Sequence, residues 1–256
     1  MRQSTRRACL LLVTSLLLVS GSAGAGDVTT QPASPEEPYG IALEGFAYPY
    51  PVHMLPIAHA GESLRMAYLD VAPKGEANGR TVLLLHGRNF PSRYWQSQIE
   101  ALAASGYRVV APDQIGFNKS SKPSFDLHFD QLARNTVALL DELKIGKVAI
   151  VGHSMGGMLA VRFTRMYPER VERLVLDAPI GLEDYRLYVP QIPVERLREI
   201  EDKVTPQSYL DQLIKGYALT ASPETLAPYV AARTRIKGSA EYPRWLRTFV
   251  NSAEMI

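Results

Sequence analysis

The chain of 256 residues is long enough for one large domain, and its 46% hydrophobic and 21% charged residues are typical of a globular protein. The formal charge of +2 depends on Arg2, Arg6 and Arg7, because without them 25 basic residues face 26 acidic ones, a balance of −1. This balance gives no electrostatic reason to expect binding to nucleic acid or to an anionic membrane.

The first 25 residues are typical of a secretory signal peptide. Arg6 and Arg7 precede an apolar run of 13 residues over 8–20, and a small-residue A-x-A site ends at Ala25. We therefore expect export to the periplasm or the medium, with cleavage after Ala25 and no membrane segment in the mature chain, since the run is short for a bilayer. An uncleaved anchor and a twin-arginine route are the alternatives.

The sequence gives no sign of a cofactor or a metal. Cys9, the only cysteine, lies at the start of the apolar run, whereas a lipoprotein cysteine would follow the run. The mature chain would then have no disulfide, no thiol nucleophile and no thiolate metal site. It also has no glycine-rich phosphate loop and no clustered metal ligands, so we expect neither cofactor nor metal.

Strand patterns follow a short leader. Residues 26–40 hold three prolines among polar residues and predict a flexible leader. Two apolar segments, 52–57 and 64–71, are separated by Ala60-Gly61-Glu62 and predict a hairpin. Two mostly apolar runs, over 81–85 and 107–111, predict buried strands.

Helix patterns alternate with these strands. One apolar stripe begins at Trp95 and ends at Gly106, and a second runs from Leu132 to Leu143 before Gly146. A further apolar strand is predicted over 171–176. Alternating strands and helices predict a doubly wound, mostly parallel α/β sheet with helices on both faces, over a core at 41–182.

The pattern becomes helical after about residue 181. Four segments without strand signals, several opened by proline, predict a helical cap over 183–256; they are Pro193–Lys203, Pro206–Tyr217, Pro223–Arg233 and Glu241–Ala253. A separate helical tail is the alternative.

The most informative motif joins a strand to a helix through a sharp turn. The apolar segment 148–151 leads into Gly152-His153-Ser154-Met155-Gly156, and a helical pattern follows to about residue 166. A G-x-S-x-G sequence in this context is typical of a nucleophile elbow, in which the serine stands at the apex of a strained turn. The glycines avoid side-chain clashes there.

With these motifs the chain resembles the α/β-hydrolase superfamily, in its capped ester-hydrolase and haloalkane-dehalogenase-like branch. The resemblance covers residues 45–180 in detail and the remainder loosely. Besides the elbow it rests on three segments: His86-Gly87-Arg88-Asn89, the loop from Asp113 to Ser120, and the segment from Leu174 to Ile180.

The resemblance implies acyl transfer at Ser154. The oxyanion hole would consist of the backbone N–H groups of Arg88 and Met155. His86 and Asp113 would brace their loops, and Asn118, where glycine is frequent, would tolerate a positive φ. Relatives that open epoxides or remove halide use aspartate as nucleophile, so a serine favours esters, thioesters or amides of a small acyl substrate.

The sequence lacks the usual partners of such a serine. The superfamily places its acid and histidine after the nucleophile, but the histidines are His53, His59, His86, His128 and His153. No strand pattern follows residue 180, so we expect the last strands to be missing and the sixth strand to form an apolar edge. The simplest interpretation is an N-terminal fragment or a truncated gene product that is nearly inactive and poorly stable.

Two other functions remain open. A non-catalytic pseudo-hydrolase would bind a ligand or partner through the cap cleft. A carbon–carbon bond hydrolase would share Ser154 and is hinted at by the Gly-Phe-Asn-Lys-Ser form of the loop at 116–120. The substrate and the oligomeric state cannot be read from the sequence.

Overall fold

The computed structural model describes residues 37–184, 187, 190–216 and 221–256. The predicted signal peptide, with its cleavage site at Ala25, lies outside the described residues. So do most of the predicted leader and Tyr217, the last residue of one predicted cap helix.

Six strands form one sheet. They are β1 (His53–His59), β2 (Glu62–Val71), β3 (Thr81–Leu85), β4 (Arg108–Pro112), β5 (Val148–His153) and β6 (Val171–Asp177). Their order across the sheet is β1-β2-β4-β3-β5-β6. The pairs β1–β2 and β2–β4 are antiparallel, and the other three pairs are parallel. The mostly parallel sheet is confirmed, and so is the hairpin, whose turn takes Ala60 and Gly61 through positive φ.

Helices cover both faces of the sheet, as the alternation predicted. They are α1 (Gln96–Ala104), α2 (Phe129–Glu142) and α3 (Met155–Met166). Successive side chains of a strand point to opposite faces, and β3 follows this rule. Val82 packs in the cluster that contains Ile99 of α1, whereas Leu83 packs in the cluster of α2 and α3.

Strand β6 is an open edge of the sheet within the described residues. It pairs with β5 on one side, and its apolar side chains Leu174, Val175 and Leu176 are 37%, 50% and 36% exposed. The expected apolar edge is therefore present. Its unpaired backbone groups are a template for pairing with another strand.

In the described part of the cap region there are four α-helices. They are α4 (Val194–Asp202), α5 (Pro206–Asp211), α6 (Pro223–Thr234) and α7 (Tyr242–Asn251). The helix predicted from Pro206 is shorter than expected, since α5 ends at Asp211 and a π-helical turn continues over Gln212–Gly216. The predicted end of α7 is likewise a 3₁₀ turn, Ser252–Met255.

Helix α7 of this region contacts the core. Arg244 of α7 donates to the carbonyl of Lys122 at 2.6 Å, and Thr248 donates to that of Pro123 at 3.2 Å. Both carbonyls belong to the loop after β4, so α7 is hydrogen-bonded to the core.

The flexible leader predicted over 26–40 does not extend to its last residues. Tyr39 is buried, at 7% exposure, in a cluster with Trp245 and Phe249 of α7. Arg235 also holds this segment, by donating to the carbonyl of Glu37 and lying over the ring of Tyr39. Burial of aromatic surface against the cap outweighs the proline-rich composition here.

Among the described residues, no helix is both long and apolar enough to cross a lipid bilayer.

Candidate functional site

The predicted nucleophile, Ser154, lies at the apex of the turn between β5 and α3. Its φ of 54° and ψ of −121° are those of a turn position that strongly favours glycine. The Ser154 N–H donates to the carbonyl of Asp177 at 3.2 Å. Its carbonyl accepts from the N–H groups of Gly157 and Ile180 at 2.9 and 3.3 Å. The surrounding backbone therefore holds a strained residue in place, which is typical of functional positions.

The two glycines of the motif are required by close backbone approach. A methyl group on Gly156 would lie 2.2 Å from the carbonyl oxygen of Leu85, at the end of β3. One on Gly152 would lie 2.4 Å from the carbonyl oxygen of Gly156 and 2.8 Å from Cβ of Ala160. Neither distance is compatible with a side chain, so both glycines allow α3 to pack directly on the sheet.

Met155, the first predicted oxyanion donor, opens helix α3. The first N–H groups of a helix have no carbonyl partner within it. They also lie at the positive end of the helix dipole. The N–H of Met155, which follows the predicted nucleophile, therefore has the polarity that a developing oxyanion would need.

The loop after β3, which carries the second predicted donor, passes beside the nucleophile. A methyl group on Gly87 would lie 3.2 Å from Cβ of Ser154 and 3.0 Å from Nδ1 of His153. Arg88 is the next residue after Gly87. The second predicted donor, its N–H, therefore follows directly after the residue that approaches Ser154.

His86 braces this loop, as expected. Its Nε2 lies 2.9 Å from the N–H of Gln114, which can only donate, so Nε2 must accept. The proton is therefore on Nδ1, which donates to the carbonyl of Gly87 at 2.8 Å. Burial lowers the pKa of His86, and the charge of Asp113 opposes this shift. Both ring nitrogens are occupied by the contacts with Gly87 and Gln114.

Asp113 braces the loop after β4. Its carboxylate accepts from the N–H of Ser92 at 2.8 Å, from the hydroxyl of Tyr48 at 2.6 Å and from the N–H of Lys119 at 3.1 Å. Within the same loop, Asn118 adopts a φ of 48°. The expectation that asparagine would tolerate this turn is confirmed.

His153, the predicted elbow residue before the nucleophile, contacts a tyrosine. Its Nδ1 lies 3.0 Å from the hydroxyl of Tyr94. Burial lowers the pKa of His153, and the nearby carboxylate of Asp177 acts in the opposite direction. His153 and Asp177 are partners in the β5–β6 register, so this side of the turn carries a tyrosine, a histidine and a carboxylate.

None of the five histidines, all of which lie in the described part of the chain, hydrogen-bonds to Ser154. The ring of His53 lies against Tyr68 and that of His59 against Phe125. His128 precedes the first turn of α2. The remaining two have the contacts given above.

The side chain of Arg88 connects the loop after β3 to the helices of the cap region. Its guanidinium donates to Oγ of Ser252 at 2.9 Å and to the carbonyl of Phe249 at 2.5 Å. It also lies 3.9 Å from the centre of the Phe249 ring. Arg88 thus carries the second predicted donor on its backbone and contacts the end of α7 with its side chain.

Sequence reasoning placed Tyr94 with Phe90 near the substrate pocket but did not predict its contact with His153. It is 59 residues from His153 in sequence, and no spacing rule relates the two. The only sequence feature that points to Tyr94 is its place in an aromatic pair, Tyr94-Trp95, shortly after the His86-Gly87 motif.

Comparisons with known proteins agree with this geometry. A model of the alpha/beta hydrolase fold family matches residues 80–208. The crystal structure of a probable hydrolytic enzyme from Pseudomonas aeruginosa PAO1 is 43% identical, with a TM-score of 0.80 over 86% of this chain and 70% of that one.

Two relatives in sequence have more specific names. The AB hydrolase superfamily protein YfhM of Bacillus subtilis is 37% identical over 60% of this chain and 58% of its own length. The 2-hydroxy-6-oxo-6-phenylhexa-2,4-dienoate hydrolase of Burkholderia cepacia is 29% identical over 76% of this chain and 72% of its own length. The match with YfhM thus spans less than two thirds of that relative.

Proposed function

Because the chain belongs to the α/β-hydrolase fold family, we propose that it is a serine hydrolase acting on ester, thioester or amide bonds of a small acyl substrate. The observation that carries the proposal is the conformation of Ser154. A strained serine fixed between a strand and a helix start is costly to stability, and it is suited to presenting a nucleophile.

The proposed reaction has two steps. Oγ of Ser154 attacks the acyl carbon and loses its proton to a base, while the carbonyl oxygen becomes an oxyanion beside the N–H groups of Arg88 and Met155. The bond to the leaving group then breaks and the leaving group takes a proton. Water attacks the acyl-serine in the same manner and releases the acid.

The general base that would take the proton of Ser154 is not one of the five histidines in the positions they occupy here. A base must lie within hydrogen-bond reach of the hydroxyl, and no histidine does so here. We therefore propose that the chain as given turns over slowly. In another serine hydrolase, loss of the triad reduces turnover by roughly 10⁶, while the oxyanion hole and binding retain about 10³–10⁴ over water.

A carbon–carbon bond hydrolase is the second candidate. The observation that favours it is the similarity to the Burkholderia cepacia relative, whose name describes a hydrolase of a phenylhexadienoate. The same Ser154 would serve both reactions. A non-catalytic binding protein is the third candidate. It is favoured by the finding that no histidine hydrogen-bonds to Ser154.

Hydrolysis assays separate the three candidates. Purified protein and its Ser154→Ala variant are compared on p-nitrophenyl acetate, on thioesters and on a vinylogous diketone. A serine hydrolase shows a slow ester rate that the substitution removes, and a carbon–carbon hydrolase prefers the diketone. A rate equal to that of Ser154→Ala on every substrate contradicts both enzymatic proposals.

We also propose export, with cleavage after Ala25. The sequence of residues 1–25 supports export, because basic residues, an apolar run and a small-residue site follow one another there. Expression of the full chain in a bacterium, fractionation and N-terminal sequencing test it. Mature protein that begins at Gly26 in the periplasm is expected, and full-length protein in the cytoplasm contradicts the proposal.

A further inference from the structure

A cavity lies between the cap helices and two loops of the core. Its lining comes from the loop after β3, the loop after β4, α6 and α7, and includes Arg88, Asn118, Tyr229, Arg233 and Phe249. Arg88 directly follows Gly87, where a methyl group would lie 3.2 Å from Cβ of Ser154. The cavity therefore lies beside the loop that approaches the predicted nucleophile.

The size of the cavity suits a small polar group. The centres of water-sized groups can occupy about 30 Å³ of it. A buried water needs roughly 10–15 Å³ of such space, so about two oxygen-sized groups fit. The oxygens of a carboxylate meet this limit.

The charges around the cavity favour an anion. No acidic side chain lines it in the part of the chain that the structure describes, whereas two arginines do. The guanidinium carbons of Arg88 and Arg233 lie 3.9 and 3.6 Å from the centre of the Phe249 ring, so both contact the same ring. The hydrogen bonds of Arg88 given above end on neutral oxygen atoms. A ligand in the cavity would therefore meet two guanidinium groups held by one aromatic ring.

Arg233 carries a buried donor that lacks an acceptor. Its side chain is 10% exposed, and a terminal nitrogen donates to the carboxylate of Glu201 at 2.5 Å. Within the described residues, however, Nε of Arg233 is buried and has no hydrogen-bond partner. Leaving a buried donor unpaired is costly, and a bound ion or water is a common explanation for such a donor. The cavity that Arg233 borders has space for this acceptor.

We infer that this cavity binds a carboxylate group through Arg233 and Arg88, and that the protein prefers acyl substrates that carry a carboxylate besides the bond to be broken. Guanidinium groups suit this ligand, because their N–H groups form a fork that matches carboxylate oxygens. Hydrogen bonds between two charged groups are also stronger than those to water. A monoester of a dicarboxylic acid is the simplest substrate of this class. The substrate preference rests on the proposed function of Ser154, whereas the anion site does not.

The NMR signals of arginine Nε–H groups test the anion site without requiring activity. Sodium acetate is titrated at constant ionic strength, and neutral acetamide is the matched ligand. The loss of one signal in Arg233→Lys assigns the signal of Arg233. We expect acetate alone to shift this signal in a saturable manner, because Nε–H gains a charged acceptor. The signal of Arg65, an exposed arginine, should not shift. An Arg233 signal that acetate leaves unchanged, or that acetamide shifts equally, overturns the inference.

Filling the cavity tests its location. Ala232 lines it and is 7% exposed, so Ala232→Leu places additional carbon atoms there and should abolish the acetate shift. Ala231→Leu adds the same atoms at the neighbouring residue of α6, which borders a different groove, and should retain the shift. An acetate shift that persists in folded Ala232→Leu contradicts the location. The wild-type titration decides the anion site even where Ala232→Leu fails to fold.

Ester hydrolysis tests the substrate class. The monoethyl esters of succinate, glutarate and adipate are compared with the diethyl esters of the same acids, which have the same chain without the charge. For at least one acid, kcat/KM of the monoester should exceed that of the diester by about tenfold or more, because hydrogen bonds to charged groups are the stronger ones. Ala232→Leu should lose this preference, and Ala231→Leu should keep it.

The outcomes distinguish the inference from the proposed function. A saturable acetate shift with no preference for any monoester overturns the assignment of the substrate class. Wild-type rates equal to those of Ser154→Ala on every ester contradict the proposed function, and the substrate preference with it. The acetate titration then still decides whether the cavity is an anion site.

Discussion

Gly156 lies against the backbone of Leu85 so closely that a single methyl group would be 2.2 Å from the Leu85 carbonyl oxygen. This contact joins the first turn of α3 to the end of β3. It places the helix that follows Ser154 against the strand that leads into the loop of His86, Gly87 and Arg88. The turn that carries Ser154 and the loop after β3 are thus held next to each other because Gly156 has no side chain.

Gly156→Ala is expected to destabilise the protein. The neighbouring atoms belong to backbone and cannot move alone, and overpacking of this kind typically costs about 1–3 kcal/mol or more. Urea unfolding measures the change. Gly146→Ala is the control, because no atom lies within 4 Å of a methyl group there and the variant should be neutral or slightly stabilised. Equal stability of the two variants would contradict the contact.

Ser154→Gly is expected to raise stability while removing hydrolysis. The φ and ψ of Ser154 are strained for any residue with a side chain, at a cost of about 1–3 kcal/mol. Glycine relieves this strain, although its greater freedom in the unfolded chain offsets part of the gain. Thermal unfolding compares it with Ser154→Ala, which keeps the strain. A melting temperature of Ser154→Gly at or below that of Ser154→Ala is the contrary result.

Lys122 is expected to make stability depend on pH. It is 2% exposed and donates from Nζ to the carbonyls of Asn118 and Ser120. Burial lowers its pKa to about 7, against the opposing charges of Asp113 and Glu44. Between that pKa and its usual value, roughly 10.4, the unfolded state binds more protons. The free energy of unfolding should therefore rise with pH in this window.

Urea unfolding at several pH values checks this dependence. Lys122→Met should show a smaller rise between about pH 7 and pH 10 than the wild-type protein, because the variant has no amine to protonate. Lys147→Met, at an exposed lysine, is the control and should keep the wild-type slope. Parallel curves for all three proteins would show that Lys122 does not titrate as described.

Val175→Lys is expected to reduce self-association. Val175 is half exposed on the open edge strand β6, and charged residues on such edges oppose strand pairing between molecules. Light scattering against protein concentration measures the effect. Gln98→Lys, on the exposed face of α1, adds the same charge elsewhere and should leave association unchanged. If both variants behave alike, net charge rather than the edge controls association.

The sheet and the elbow were predictable because local patterns determine them. The apolar runs ending at Leu85 and Val151 are too short for helices, and their alternation with helical stripes specifies a parallel sheet. The strained turn at Ser154 follows from two glycines at fixed spacing. These features depend on residues that are close together in the chain, so they can be recognised in a single sequence.

The remaining features depend on contacts between distant residues. Arg88 and Ser252 are 164 residues apart, and Tyr94 and His153 are 59 apart. Composition assigned Tyr39 to a flexible leader, whereas packing against Trp245 orders it. Such contacts form only when distant segments pack together in the folded chain, and no regular spacing in the sequence predicts them.

Labelling with a fluorophosphonate tests the central claim, that Ser154 is a nucleophile held beside two amide donors. Imidazole is added as a base, because no histidine bonds to Ser154, and peptide mass spectrometry locates the adduct. The account predicts a slow adduct on Ser154 that imidazole accelerates and that Ser154→Ala abolishes. A folded protein that forms no adduct at Ser154, with or without imidazole, would contradict it.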